Sequence, residues 1–144
     1  FDETFNLPSI ILRYFSVYGP RQPQKGVYAL VMGIFLQRWK QGEALQIHGD
    51  GQQRRDFIHV HDIVAANIAA FESNLRYEIF NIGSGTNVAI KELADMISVN
   101  QVHEARRSAD ADVTLADITR AKQLLQWEPQ ISLEAGLHEL MTMC

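Results

Sequence analysis

Apolar and polar positions divide the chain into short strand-like and helix-like segments. Ser9–Tyr18 (SIILRYFSVY) is almost continuously apolar, β-branched or aromatic, which predicts a buried strand covered on both faces. Gly19-Pro20 stops it. Val27–Gln41 then carries apolar residues at helical spacing, with Gly42 placed as a C-terminal cap. Leu45–His48 predicts a short strand closed by the Gly49-Asp50-Gly51 turn, and Asp56–Val60 predicts another. Asp62 is expected to cap a helix running to about Ser73. Glu78–Ile82 predicts a strand entering Gly83-Ser84-Gly85. Ala89–Ser98 is amphipathic, whereas Asn100–Val113 is polar and predicted irregular. Asp117–Leu125 and Leu133–Met143 predict two closing helices around Trp127-Glu128-Pro129.

Strands that alternate with helices predict an α/β fold with parallel pairing rather than a sandwich or a bundle. No internal repeat, low-complexity tract or linker divides residues 1–144, so one domain is expected. A chain of this length buries roughly 68–70% of its unfolded surface. The apolar strand at 9–18 is the awkward element. Without flanking neighbours it would expose unpaired edges, so self-association into a homo-oligomer through this strand is expected.

Hydrophobic content of 47% and charged content of 21% are those of a soluble globular protein. No apolar run approaches the roughly 18 residues that span a bilayer, and Phe1–Ile11 has no basic segment of the kind that opens a signal peptide. A membrane association is not expected, and a cytoplasmic location is. The single cysteine, Cys144, excludes an internal disulfide and a cysteine-based metal site. The net charge of −4 is unevenly spread. Residues 9–60 hold seven Lys/Arg against three Asp/Glu, and residues 61–144 hold six against twelve. A basic first half suits an anionic ligand as well as a mixed solvated surface. The overall acidity, without a dense Lys/Arg stripe, argues against nucleic acid.

Chemistry concentrates in Gly49–Phe71 (GDGQQRRDFIHVHDIVAANIAAF), where two arginines stand at the entrance of a strand. A guanidinium offers planar paired donors to a phosphate, and two phosphates need more than one cation. The plainer alternative is one arginine paired with Asp56 and the other in solvent. Arg106, Arg107, Asp110 and Asp112 form a second charged cluster, open to the same two readings. Gly83-Ser84-Gly85 lacks the third glycine of a dinucleotide turn, since Val88 stands there, and is expected to be a tight strand-to-helix turn. The five histidines do not fall at metal-ligand spacing, so no metal is expected. Asp50, Asp56 and Asp62 suit a turn, an ion pair and a helix cap better than acid–base work.

Several segments, in order, resemble the extended short-chain dehydrogenase/reductases of the NAD-dependent epimerase/dehydratase family. They are Leu12–Gln22 (LRYFSVYGPRQ), Gly49–Phe71, Phe80–Gly85 (FNIGSG), Arg107–Asp117 (RSADADVTLAD) and Ala121–Pro129 (AKQLLQWEP). The wording is most similar to UDP-glucose 4-epimerases. The resemblance implies the C-terminal, substrate-binding portion of a Rossmann-like enzyme. Residues 1–144 contain neither G-x-x-G-x-x-G nor Y-x-x-x-K. NAD is therefore implied for the parent enzyme and not for this piece, no catalytic residue is assigned, and catalysis by the piece alone is not expected.

Position by position, the resemblance assigns Arg55 and Arg107 to the nucleotide diphosphate and Asp110 to the ribose. Gln46 and His48 lie on the strand beside the base, and Phe15 lies near the nicotinamide. Ser16 stands where a sugar-contacting Asn is usual. The implied chemistry holds the nucleotide firmly and the hexose loosely, so that a 4-keto sugar can turn over between hydride transfers. The same portion of a dehydratase, decarboxylase or reductase, or a non-catalytic nucleotide-sugar-binding module, are the alternatives.

Overall fold

Side-chain alternation along one short strand separates two cores. Phe57 joins a cluster with Tyr18, Phe35, Ile47, Leu93 and Leu140, whereas its neighbour Ile58 joins another with Ile63, Phe80, Ile82, Ala121 and Trp127. Successive strand residues point to opposite faces, so even a three-residue strand partitions the interior. This architecture comes from a computed structural model that describes residues 2–5, 7–106, 108 and 110–143.

In chain order the elements are α1 (Asp2–Phe5), β1 (Ile10–Tyr14), β2 (Ser16–Tyr18), α2 (Val31–Lys40), β3 (Leu45–His48), β4 (Arg54–Arg55) and β5 (Phe57–His59). They continue with α3 (Val60–Glu72), β6 (Glu78–Ile82), β7 (Val88–Ala89), α4 (Ile90–Ile97), β8 (Gln101–Glu104), α5 (Thr119–Leu124) and α6 (Leu133–Thr142). β1 pairs with β6, β2 with β5 and β3 with β8, all parallel, and only the two-residue β4–β7 contact is antiparallel. The fold is α/β with short parallel strands alternating with helices, the class expected from the sequence.

The predicted strand 9–18 is in fact two strands that change partner. The Phe15 N–H donates to Ile82 O of β6 at 3.0 Å, and the next N–H, of Ser16, donates to Asp56 O at 3.0 Å. Nor is it covered on both faces within the described residues. Ile11 is 53% and Tyr14 46% exposed. An apolar run alone does not say how many neighbours a strand has.

Three further expectations are corrected. The helix expected from Val27 begins at Val31, because Val27 and Tyr28 sit exposed in the preceding loop. Residues 100–113 are not wholly irregular. Gln101–Glu104 forms β8, a polar edge strand whose ladder to β3 outweighs its weak strand propensity. Asp62 is not the cap of α3. That role falls to His59, whose Nδ1 accepts from the His61 N–H at 3.3 Å. Asp62 is buried in the first turn, where its carboxylate accepts from the Gln130 and Ile131 N–H groups at 3.0 and 3.1 Å. It pins the Gln130–Ile131 backbone, just after Trp127-Glu128-Pro129, instead.

His59 is buried, and burial lowers its pKa from the ordinary 6.5, keeping the ring neutral. With Nδ1 accepting, its proton lies on Nε2, 3.4 Å from Glu139 of α6. Burial likewise pushes the Tyr18 hydroxyl well up, and that hydroxyl donates to Ser132 O at 3.3 Å. Gly136 permits this approach, since a Cβ there would lie 2.3 Å from the Tyr18 oxygen.

Asp56 contradicts the ion-pair expectation most sharply. It is fully buried, and among the described residues no arginine pairs with its carboxylate. It accepts from Ser84 N–H (2.6 Å), Ser84 Oγ (2.8 Å), Gly85 N–H (3.1 Å) and Ala116 N–H (3.0 Å). Gly83 lets the turn come this close, because a Cβ at 83 would lie 2.8 Å from Asp56 Oδ2. Asp56→Ala is expected to cost about 3 kcal/mol or more, by leaving several buried donors unsatisfied. Urea unfolding of the two proteins measures this, and a loss below about 1 kcal/mol would show that the carboxylate does not organise the turn.

Candidate functional site

A cavity of about 320 Å³ opens beside the start of α2, β3 and the β4–β5 junction. Leu30, Val31 and Ile34 give it an apolar wall, and Ser16, Gln46, His48, Arg55 and Asp110 line it with polar groups. Five of the residues singled out from the sequence thus meet in one place. β2 delivers Ser16, β3 delivers Gln46 and His48 on one face, and β4 delivers Arg55. Asp110 arrives through the ladder-like contacts of Asp112 O and Thr114 N–H with the Arg54 backbone, at 2.8 and 3.0 Å. A concave site with an apolar wall and few convergent polar groups suits a small organic anion.

The two adjacent arginines have different duties. Arg54 turns away from the cavity and donates from Nε to Asn87 Oδ1 at 2.8 Å and from Nη2 to Asn87 O at 2.9 Å, with Glu92 at 3.4 Å. It staples β4 to the approach to α4. Arg55 faces the cavity, its side chain only 14% exposed. Its Nη1 donates to Arg54 O at 2.8 Å, and its Nη2 pairs with Asp110. The guanidinium is therefore pre-oriented, and an entering anion competes with the Asp110 carboxylate for it. In the same segment Arg106 pairs with Asp112. Arg107, expected beside Arg55, lies outside the described residues.

Phe15 is not in the cavity. It packs half-buried against the second core and lines a separate shallow depression with Tyr14, Leu30 and Thr114, which Ser16 shares. Glu104 was not singled out from the sequence. Its Oε1 accepts from Gln46 Nε2 at 2.7 Å, and its Oε2 lies 3.8 Å from His48 Nδ1. The signal that would have found it is the alternation of β8, hidden in a polar stretch. Gln53 was missed too, and its Nε2 donates to His48 O at 3.0 Å. A larger depression of about 640 Å³ runs along β1 and α3 past Leu12, Asn67 and Phe71, but it holds none of the candidate residues. Among the described residues no three His, Cys, Asp or Glu side chains converge on a metal position, and no helix is long and apolar enough to cross a membrane.

Residues 1–83 match the NAD dependent epimerase/dehydratase family, and the chain belongs to it. It is 37% identical over 141 residues to UDP-glucuronate 4-epimerase of Thermodesulfobacterium geofontis, covering 92% of this chain and 42% of that protein. It is 35% identical to UDP-N-acetyl-alpha-D-glucosaminuronate decarboxylase of Bacillus cytotoxicus, covering 92% and 45%. In structure it is similar to UDP-glucose 4-epimerase of Thermotoga maritima with UDP-glucose, with TM-score 0.92 at 37% identity, covering 98% of this chain and 47% of that one. The chain thus spans less than half the length of these relatives.

Asp110→Asn is expected to tighten binding of inorganic pyrophosphate about threefold to tenfold, by removing the carboxylate that competes for Arg55. Calorimetric titration reads this, and equal or weaker binding by the variant would show that Asp110 does not occupy the anion's position.

Proposed function

We propose that residues 1–144 form the C-terminal, nucleotide-sugar-binding portion of an NAD-dependent UDP-sugar 4-epimerase. The observation that carries the reading is the convergence of Ser16, Gln46, His48, Arg55 and Asp110 on one cavity in a chain of this family. The similar Thermotoga maritima enzyme is a 4-epimerase with UDP-glucose. Arg55, with Arg107, holds the diphosphate, Asp110 serves the ribose hydroxyls, and Gln46 and His48 border the base. Ser16 stands at the sugar end, beside the apolar start of α2.

The division of labour follows from the chemistry. Charge-assisted donors grip the diphosphate, and that remote binding energy positions a reacting carbon elsewhere. Around the hexose, a hydroxyl and apolar side chains provide few fixed donors, which suits a sugar that must present either face. NAD supplies the hydride exchange in an enzyme of this family, but the residues here do not fit a dinucleotide. Phe15 offers one half-buried apolar wall beside a shallow depression shared with Tyr14, Leu30 and Thr114. The Tyr/Lys pair and the NAD turn belong to another segment of the enzyme.

The similarity to the Bacillus cytotoxicus decarboxylase supports the same binding portion in a neighbouring reaction, and product analysis on a family-length chain separates the two. Self-association belongs to the reading as well. Among the described residues β1 has a ladder partner on one side only, and its Ile11 is exposed. Light scattering is expected to give a mass above the monomer, and a monodisperse monomer at high concentration contradicts it.

The decisive test is titration of the chain with UDP, repeated with Arg55→Ala. Binding that weakens about tenfold or more in the variant is expected for the loss of a charge-assisted pair of donors. Undiminished binding by Arg55→Ala, or no binding by the folded chain, overturns the assignment of this cavity to the diphosphate.

A further inference from the structure

Arg54 does not line the cavity, yet its contacts bear on the arginine that does, an inference that rests on the nucleotide reading above. The two are neighbours on β4, and Arg55 Nη1 donates to the Arg54 carbonyl at 2.8 Å. That carbonyl also accepts the Thr114 N–H at 3.0 Å, and the Arg54 N–H donates to Asp112 O at 2.8 Å. The Arg54 side chain holds the same assembly from its other end. Its Nε donates to Asn87 Oδ1 at 2.8 Å and its Nη2 to Asn87 O at 2.9 Å. Asn87 Nδ2 in turn donates to Thr114 O at 3.3 Å, so side chain and backbone of Arg54 both return to Thr114. Glu92 of α4 sets a carboxylate oxygen 3.4 Å from Nη2, and that oxygen accepts the Ala89 N–H at 2.9 Å.

The two contacts that hold Arg55 fare differently when an anion enters. The Asp110 carboxylate competes with the anion for Nη2, so that contact opens. The Arg54 carbonyl is a neutral backbone acceptor, and Nη1 keeps it in the loaded site. We infer that Arg54, working through Asn87, is a positioning residue: it fixes the carbonyl that keeps the Arg55 guanidinium aimed at the diphosphate once Asp110 is displaced. A guanidinium suits the task because its rigid fork spans the side-chain and backbone oxygens of one residue, and Arg54→Lys keeps the charge without the fork. A cation aimed in advance binds more tightly, because less side-chain freedom is lost on binding.

Two measurements test this, on chains whose folding is checked by thermal unfolding. The first is nitrogen NMR of the Arg55 guanidinium without ligand, in an Asp110→Ala background, with Arg55→Ala assigning the signal. Exchange between the two Nη positions requires the Nη1 contact to break. It is expected to quicken about threefold or more when Arg54→Lys is added. The second is calorimetric titration with UDP of the chain with its native Asp110. Arg54→Lys and Asn87→Ala are each expected to weaken binding about threefold to tenfold. A general loosening of β4 would weaken UDP and leave the exchange rate unmoved, and an effect of charge alone would spare Arg54→Lys. Either result overturns the inference while leaving the diphosphate site standing. Failure of the unmodified folded chain to bind UDP overturns the nucleotide reading, and the role given to Arg54 falls with it.

Discussion

The buried carboxylate of Asp56 is the constraint on which the rest of the molecule depends. It sits between β4 and β5 and gathers donors from the turn after β6 and from Ala116. Its own carbonyl accepts the N–H of Ser16 at the point where the first strand changes partner. One residue therefore joins β2, β5, the 83–85 turn and the segment that returns from Asp110. A buried charge persists only when enough donors surround it, and four hydrogen bonds to one carboxylate meet that condition. The arginine beside it in sequence gains its orientation from this arrangement without touching the carboxylate.

The electrostatics of the cavity follow from that frame. Among the described residues Arg55 is the cation that lines the cavity, and Arg54 is spent on Asn87 and Glu92. Asp110 shields Arg55 and completes a half-buried ion pair, so an entering anion must displace its carboxylate. Glu104, on β8, accepts from the Gln46 amide. Two carboxylates thus pair with polar groups that line the cavity, Asp110 with the Arg55 guanidinium and Glu104 with the Gln46 amide.

Among the described residues β1 has a ladder partner on one side only, and an open depression runs along α3. Within the described residues the two cores are nonetheless complete around β2 and β5, and Phe57 and Ile58 divide them cleanly. Binding groups gather on the first core's edge, where α2, β3 and β4 meet. Rigid short strands carry four of the five cavity residues named from the sequence, which limits how far those side chains can drift.

Local patterns in the sequence determined most element positions, because period and turn residues act over a few neighbours. Leu45–His48 and Glu78–Ile82 have the bounds read from the chain, and Gly83-Ser84-Gly85 forms a turn there. The motifs also named Ser16, Gln46, His48, Arg55 and Asp110, whose residue types suit a charged sugar nucleotide. Only the tertiary structure decided which arginine faces the cavity, that Asp56 and Asp62 bind distant backbone N–H groups, and that His59 caps α3. The first two outcomes depend on partners tens of residues away, whereas the His59 cap is a local contact with the His61 N–H made by a ring buried in the core. A distant partner also decides β8. Gln101–Glu104 is too polar to announce a strand, and it becomes one because β3 offers it a ladder. Contacts across such separations are set by how the two cores close, which no local pattern along the chain records.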